Sequence, residues 1–118
     1  MAKPTHAIAM LALAACASIL PPLPLLAGEP ITLTIKDHRF TPDQVTAPAG
    51  ERFRIEVANQ DTTPSEFESH ELRVEKIVVA GGKISVVVGP LKPGTYKFFD
   101  DYHPDTVTGT LTAVEKTN

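Results

Sequence analysis

The 118-residue chain has one cysteine, Cys16, and it lies in an N-terminal segment that does not read as part of a folded domain. A domain without cysteine has no disulfide. It also has no thiolate to hold zinc, an iron–sulfur cluster or blue copper in its usual form. Basic clusters are absent too. Beyond Ala27, ten Lys and Arg (the total of 11 less Lys3) face 14 Asp and Glu, a net of −4. With no basic patch, nucleic acid is not an expected partner. The chain has no Gly-x-Ser-x-Gly elbow and no phosphate loop, so nucleophilic catalysis finds no residue set. Carboxylates are available for glycoside hydrolysis, but nothing marks a sugar cleft. No segment sustains a helical period.

The one long apolar run, residues 7–20, is followed at once by Pro21, Pro22 and Pro24, which makes it too short and too broken for a membrane span. Lys3 precedes it and no acid interrupts it, which is the pattern of an export signal. Cleavage after Ala27 makes residues 1–27 a signal peptide and residues 28–118 the mature domain, expected in the periplasm. A competing reading takes "LAAC" (residues 13–16) as a lipoprotein box with Cys16 as lipid anchor. Ordinary cleavage is the expectation here, because the apolar run continues well past Cys16.

The rest of the chain alternates. "ITLTIK" sets Ile31, Leu33 and Ile35 against Thr32, Thr34 and Lys36. "RFRIEV" sets Phe53, Ile55 and Val57 against Arg52, Arg54 and Glu56. "KISVVV", "TYKFFD" and "TGTLTAV" read as further strands, with Pro42-Asp43, Gly81-Gly82 and "GPLKPG" as turns. Short alternating strands with Gly/Pro turns every eight to twelve residues or so predict an all-β antiparallel sandwich.

Strand parity then places the side chains that carry chemistry. In "TYKFFD", Lys97 faces water, so Tyr96, Phe98 and Asp100 share the inner face. Asp100 ends an inward row at the sandwich rim, Asp101 points away, and His103 follows after the chain turns. An Asp and a His joined by a tight loop can ligate a divalent or trivalent ion; equally, Asp100 and Asp101 can cap a solvated turn. A second cluster, "SEFESHELRVE" (residues 65–75), has two phases. A regular strand puts Glu66, Glu68 and His70 on the inner face with Leu72, where carboxylates need a partner or a metal. Otherwise Phe67 is the core anchor, both glutamates are solvated, and a bulge near Ser69 corrects the phase. His38, between Asp37 and Arg39 at a strand end, reads as surface.

"FTPDQVTAPAGERFRIEVANQD" and "PLKPGTYKFFDDYHPDTVTGTLTAV" together resemble a cupredoxin, a Greek-key β-sandwich, across essentially the whole mature domain. Laid on the blue-copper pattern, the Cys position falls on Asp100, the second His on His103, the Met near Val107 and the first His near Glu66. Loss of the thiolate argues against a blue-copper centre. "SEFES", "VEK" and "GPLKPGTYKFFDDYHPDT" are similar to periplasmic cupredoxin-like proteins encoded with bacterial iron permeases (the FtrB type, related to the cupredoxin domain of EfeO). That resemblance implies ferrous iron uptake beside a permease and a periplasmic copper- and iron-binding protein, with Fe(II) oxidation or electron transfer before import. It implies Glu66, Glu68, Asp100 and His103 as ligands of copper or iron, with Asp101, Glu75 and Asp105 as weaker candidates. The alternative is a copper-delivery module without turnover.

Under ordinary cleavage, Cys16→Ala leaves the protein's partition between soluble and membrane fractions unchanged. Release from the membrane fraction by that substitution would establish the lipid anchor instead.

Overall fold

The computed structural model describes residues 28–117, together with residues 1–5, Ala17 and Leu26. Cys16 and the expected cleavage point at Ala27 lie outside the described residues. Among the described residues there is no helix. Nine strands run in the order β1 (Ile31–Lys36), β2 (Arg39–Thr41), β3 (Gln44–Pro48), β4 (Phe53–Asn59), β5 (Ser65–Ser69), β6 (Val74–Val78), β7 (Lys83–Val88), β8 (Gly94–Asp100) and β9 (Thr108–Val114). They form a four-stranded sheet, β2-β1-β4-β7, and a five-stranded sheet, β3-β9-β8-β5-β6. The chain crosses between sheets after β2, β3, β4, β6 and β7. This interleaving is the expected all-β Greek-key sandwich.

The expectation of purely antiparallel pairing is corrected at two places. β1 runs parallel to β4, and β3 runs parallel to β9. A hairpin can return a strand only antiparallel, whereas a strand that re-enters its sheet after a crossover can arrive in either direction. Local alternation carries no information on that choice.

The inner faces follow parity. Leu33 and Ile35 of β1 and Phe53, Ile55 and Val57 of β4 are buried, as are Phe98 of β8 and Leu111 of β9. Three rings form the centre of the end that matters for function. Phe40 of β2 meets Phe98 edge-on at 5.0 Å and Phe67 of β5 at 6.1 Å, and Phe67 lies 5.5 Å from Phe98. Such offset and edge contacts suit the ring quadrupoles. Here they clamp β2 of one sheet onto β5 and β8 of the other.

Two turns are set by specific groups. Asp37 and His38 join β1 to β2 with φ of 51° and 55°, the type I′ geometry that matches strand twist. A non-glycine residue in the left-handed region costs about 1–2 kcal/mol. The Asp61 carboxylate offsets this by accepting the Asp37 N–H at 2.7 Å and the His38 N–H at 3.0 Å. Asn59, almost wholly buried, holds Asp61 in turn: its Oδ1 accepts the Asp61 N–H while its Nδ2 donates to the Thr63 and Val78 carbonyls. The second turn replaces the bulge expected near Ser69. Residues 70–73 reverse the chain between β5 and β6. Ser69 Oγ donates to the Lys97 carbonyl at 2.6 Å and accepts the Leu72 N–H at 3.1 Å, and Leu72 tucks back into the core.

Gly109 pairs with Phe98 across β9 and β8, and a Cβ there would collide with the Phe98 ring and the Asp43 carbonyl. Overpacking of this kind costs about 1–3 kcal/mol. Gly109→Ala is therefore expected to lower stability by that amount in denaturant unfolding; an unchanged midpoint would show that the ring pair yields freely.

Candidate metal centre

β8 delivers Asp100 to the inner face, where its residue is 0% exposed. A carboxylate this deep is costly unless its oxygens are met. Oδ1 is met twice, accepting the N–H of Glu66 at 2.9 Å and of Tyr102 at 3.0 Å. The backbone around it closes the loop that follows. The Asp100 N–H donates to the Val107 carbonyl, the His103 N–H to the Asp100 carbonyl, and the Val107 N–H to the His103 carbonyl, all at 2.9–3.0 Å. Residues 101–107 thus form a compact cap on the end of β8.

Oδ2 of Asp100 is different. It is buried and has no hydrogen-bond partner, and neither has the buried Nδ1 of His103. The two atoms face each other at 3.6 Å, too long for a hydrogen bond. An orphaned buried oxygen costs about 1–3 kcal/mol. A transition-metal ion with N and O ligands at roughly 2.0–2.2 Å would satisfy both atoms across that gap. The donor set, one carboxylate and one imidazole, suits copper, iron or zinc. Asp100 and His103 therefore fit a metal. Val107, near which the resemblance puts the Met, is buried and offers no donor atom.

The other two expected ligands go elsewhere. Phe67 is wholly buried, so it is the core anchor, and the inward-carboxylate phase of residues 66–70 is overturned. Glu66 and Glu68 stand on the outer face of the five-stranded sheet, because a strand of period two cannot bury Phe67 and its neighbours together. Near the position where the resemblance puts the first His, Glu66 contributes its backbone N–H to Asp100, not its side chain. The four residues thus divide between two faces of one sheet. On the outer face, carboxylate oxygens of Glu66, Glu68 and Asp101 all lie within 4.8 Å of one another, and Glu75 pairs opposite Glu68. Asp105 sits exposed in the 101–107 cap.

Crowding marks these acids. A hydrogen bond shared with Glu75, then loss of hydration and the charges of Glu75, Asp101 and Glu68, hold Glu66 above the ordinary Glu range. Loss of hydration, then the charges of Asp101 and Glu75, do the same for Glu68, against a smaller opposing effect of His70. Raised carboxyl pKa values favour the fold below the ordinary Glu value, and that contribution is lost as pH rises through the raised values. Asp61 moves the other way: the His38 N–H bond foremost, with the Asp37 N–H bond and nearby cations, lowers its pKa against the effect of burial.

His38 is exposed, as its sequence context predicts, but its ring does not stand alone. Its ring centroid lies 4.7 Å from that of His103, tilted by 47°. Sixty-five positions separate the two histidines, and no local pattern links them. The only signal in the sequence was a bulky residue in a two-residue hairpin turn.

The profile of a family described as "Cupredoxin-like domain" matches residues 6–113. The uncharacterized protein RP394 of Rickettsia prowazekii is 46% identical over 79 residues, which cover 67% of this chain and 63% of that protein; the match thus spans under two thirds of the relative's length. Among solved structures, the metal-binding domain of the Cu(I)-exporting P-type ATPase CopA of Streptococcus pneumoniae D39 is similar with a TM-score of 0.66 and 15% identity, over 73% of this chain and 85% of that one. Amicyanin from Paracoccus versutus is similar with a TM-score of 0.58 and 16% identity, over 78% of this chain and 92% of that one. At these identities the structural likeness bears on the fold alone.

Glu75→Gln removes the group that does most to raise Glu66. In a carboxyl-carbon NMR titration, Glu66 is expected to move back toward the ordinary Glu value; an unmoved midpoint would mean that the acids are not coupled.

Proposed function

The chain belongs to the cupredoxin-like domain family, and we propose that it is a periplasmic metal-binding component of an iron-permease uptake system, taking part in Fe(II) oxidation before import. One observation carries the metal assignment: Asp100 Oδ2 and His103 Nδ1, both buried, face each other at 3.6 Å without another partner. Asp100 and His103 would hold the resident ion, with the two N–H donors on Oδ1 fixing the carboxylate's orientation. Copper, at the top of the divalent affinity order, would supply a one-electron acceptor there. With no cysteine in residues 28–118, the site would lack the thiolate colour of a blue-copper centre.

Iron enters this reading as substrate. Glu66, Glu68 and Asp101 offer hard anionic oxygens, the donors that ferric iron prefers. The extra charge of Fe(III) gains more from each carboxylate than Fe(II) does, so such donors make Fe(II) easier to oxidise. The two faces are in direct communication. The Glu66 N–H donates to Asp100 Oδ1, and the Asp101 N–H donates to the Glu66 carbonyl at 2.9 Å. Asp100 ends β8 and the outer-face acids lie on β5 and the loop after β8 of a rigid sandwich, where a permease or a periplasmic copper- and iron-binding partner would reach them with little backbone motion.

A second reading is a copper carrier without turnover. It draws on the likeness to the metal-binding domain of a Cu(I)-exporting ATPase, whose structure is described as containing Cu(I).

Asp100→Ala and His103→Ala are each expected to weaken Cu(II) affinity about tenfold or more and to slow Fe(II) oxidation, with the far-UV spectrum unchanged. Parent-like copper and iron binding by both variants would refute the site. Oxygen-dependent loss of Fe(II) over many turnovers supports the oxidase reading; stoichiometric binding with no oxidation supports the carrier.

A further inference from the structure

Resting on that metal-binding reading, we infer that His38 is a positioning residue. Its ring, braced by Asp61, holds the His103 imidazole in the attitude in which it meets an ion, without itself binding one.

His103 needs such a support. Its backbone is fixed: its N–H donates to the Asp100 carbonyl at 2.9 Å, and its own carbonyl accepts the Val107 N–H at 3.0 Å. Its side chain is freer, being 42% exposed, with no hydrogen-bond partner on Nδ1. Imidazoles that bind metals are ordinarily oriented by neighbouring groups. Among the described residues the one ring that meets His103 is His38, with centroids 4.7 Å apart and planes tilted by 47°. Tilted contacts at this range are favoured between aromatic rings.

His38, unlike His103, is tied down from behind. Its Nδ1 lies 3.8 Å from Asp61 Oδ2. The same carboxylate accepts the N–H groups of Asp37 and His38, both in the left-handed region, where histidine sits more readily than most side chains. Asp61 is held by the buried Asn59, whose amide also donates to the Val78 carbonyl of β6. Phe40, two residues beyond His38, is packed against Phe67 and Phe98, so the turn is seated on both sheets. His38 therefore reaches His103 from a rigid support across the sandwich. An imidazole already held loses less freedom when an ion arrives, a difference of roughly three- to tenfold in affinity.

The metal-free mature protein is expected to show nuclear Overhauser contacts between the two histidine rings. With Cu(II) alone, affinity is read by chelator competition and ligation by electron paramagnetic resonance. His38→Asn removes the ring and suits the left-handed turn. It is expected to keep the metal-free melting temperature, to lower Cu(II) affinity roughly three- to tenfold, and to leave the nitrogen hyperfine pattern unchanged. His38→Phe keeps a ring but strains the turn. It is expected to lower the melting temperature while holding Cu(II) affinity within about twofold of the parent. Stability and affinity then move in opposite senses, which a merely structural role would not produce. Parent affinity in His38→Asn, with Asp100→Ala and His103→Ala both weakened, overturns the positioning role and leaves the two-residue site standing. Loss of a nitrogen in His38→Asn, equal weakening in His38→Phe, or absence of the ring contacts overturns it as well. A parent that binds no Cu(II) at micromolar concentration brings down the metal reading and this role together.

Discussion

A carboxylate sealed into the end of an apolar sandwich is the constraint on which the functional end of this protein depends. Asp100 terminates β8 with no solvent exposure. Its Oδ1 joins β5 to the loop after β8 by accepting N–H groups from both. Its backbone closes the 101–107 cap onto Val107 and His103. Without it, two backbone donors that hold β5 and the loop after β8 lose their acceptor. The other oxygen gains nothing from this arrangement. It is left facing an imidazole nitrogen that also has no partner. One side chain is thus half structural and half open to a ligand.

Around that carboxylate the sandwich supplies stiffness. Phe40, Phe67 and Phe98 lock the two sheets together directly beneath it. Asn59 and Asp61 brace the β1–β2 turn through a chain of hydrogen bonds that reaches from the buried Val78 carbonyl to the His38 N–H. Groups that must present donor atoms at fixed distances gain from such support, because little rearrangement is needed when a ligand arrives. The five-stranded sheet separates two chemically different surfaces. Its inner face carries the buried Asp100 and its outer face a crowded set of acids, with the Glu66 backbone hydrogen-bonded to Asp100 and Asp101.

The donor chemistry is coherent with the family and with its departure from blue copper. The resemblance puts a hard carboxylate, Asp100, at the place of the soft thiolate of blue copper, and Val107 near that of the thioether. Soft donors favour Cu(I), whereas carboxylate and imidazole favour Cu(II) and iron. Glu66 and Glu68 on the outer face are protonated more readily than ordinary glutamates, because anionic side chains crowd together there.

Much of this was legible in the residues. Alternation assigned the faces of β1, β4 and β8, and it singled out Asp100, not Asp101, as the inward acid. The lack of cysteine beyond Cys16 ruled out a thiolate centre without any coordinates. These conclusions were available because strand parity is a local property, written in neighbouring residues. Phase was lost where a turn interrupted parity: residues 65–75 read equally well with Glu66 inward or Phe67 inward, and only packing against Phe40 and Phe98 settled it. The parallel pairings and the meeting of His38 with His103 were beyond any local pattern. They depend on crossovers between sheets and on contacts across 65 positions of chain, which only the closed sandwich brings together.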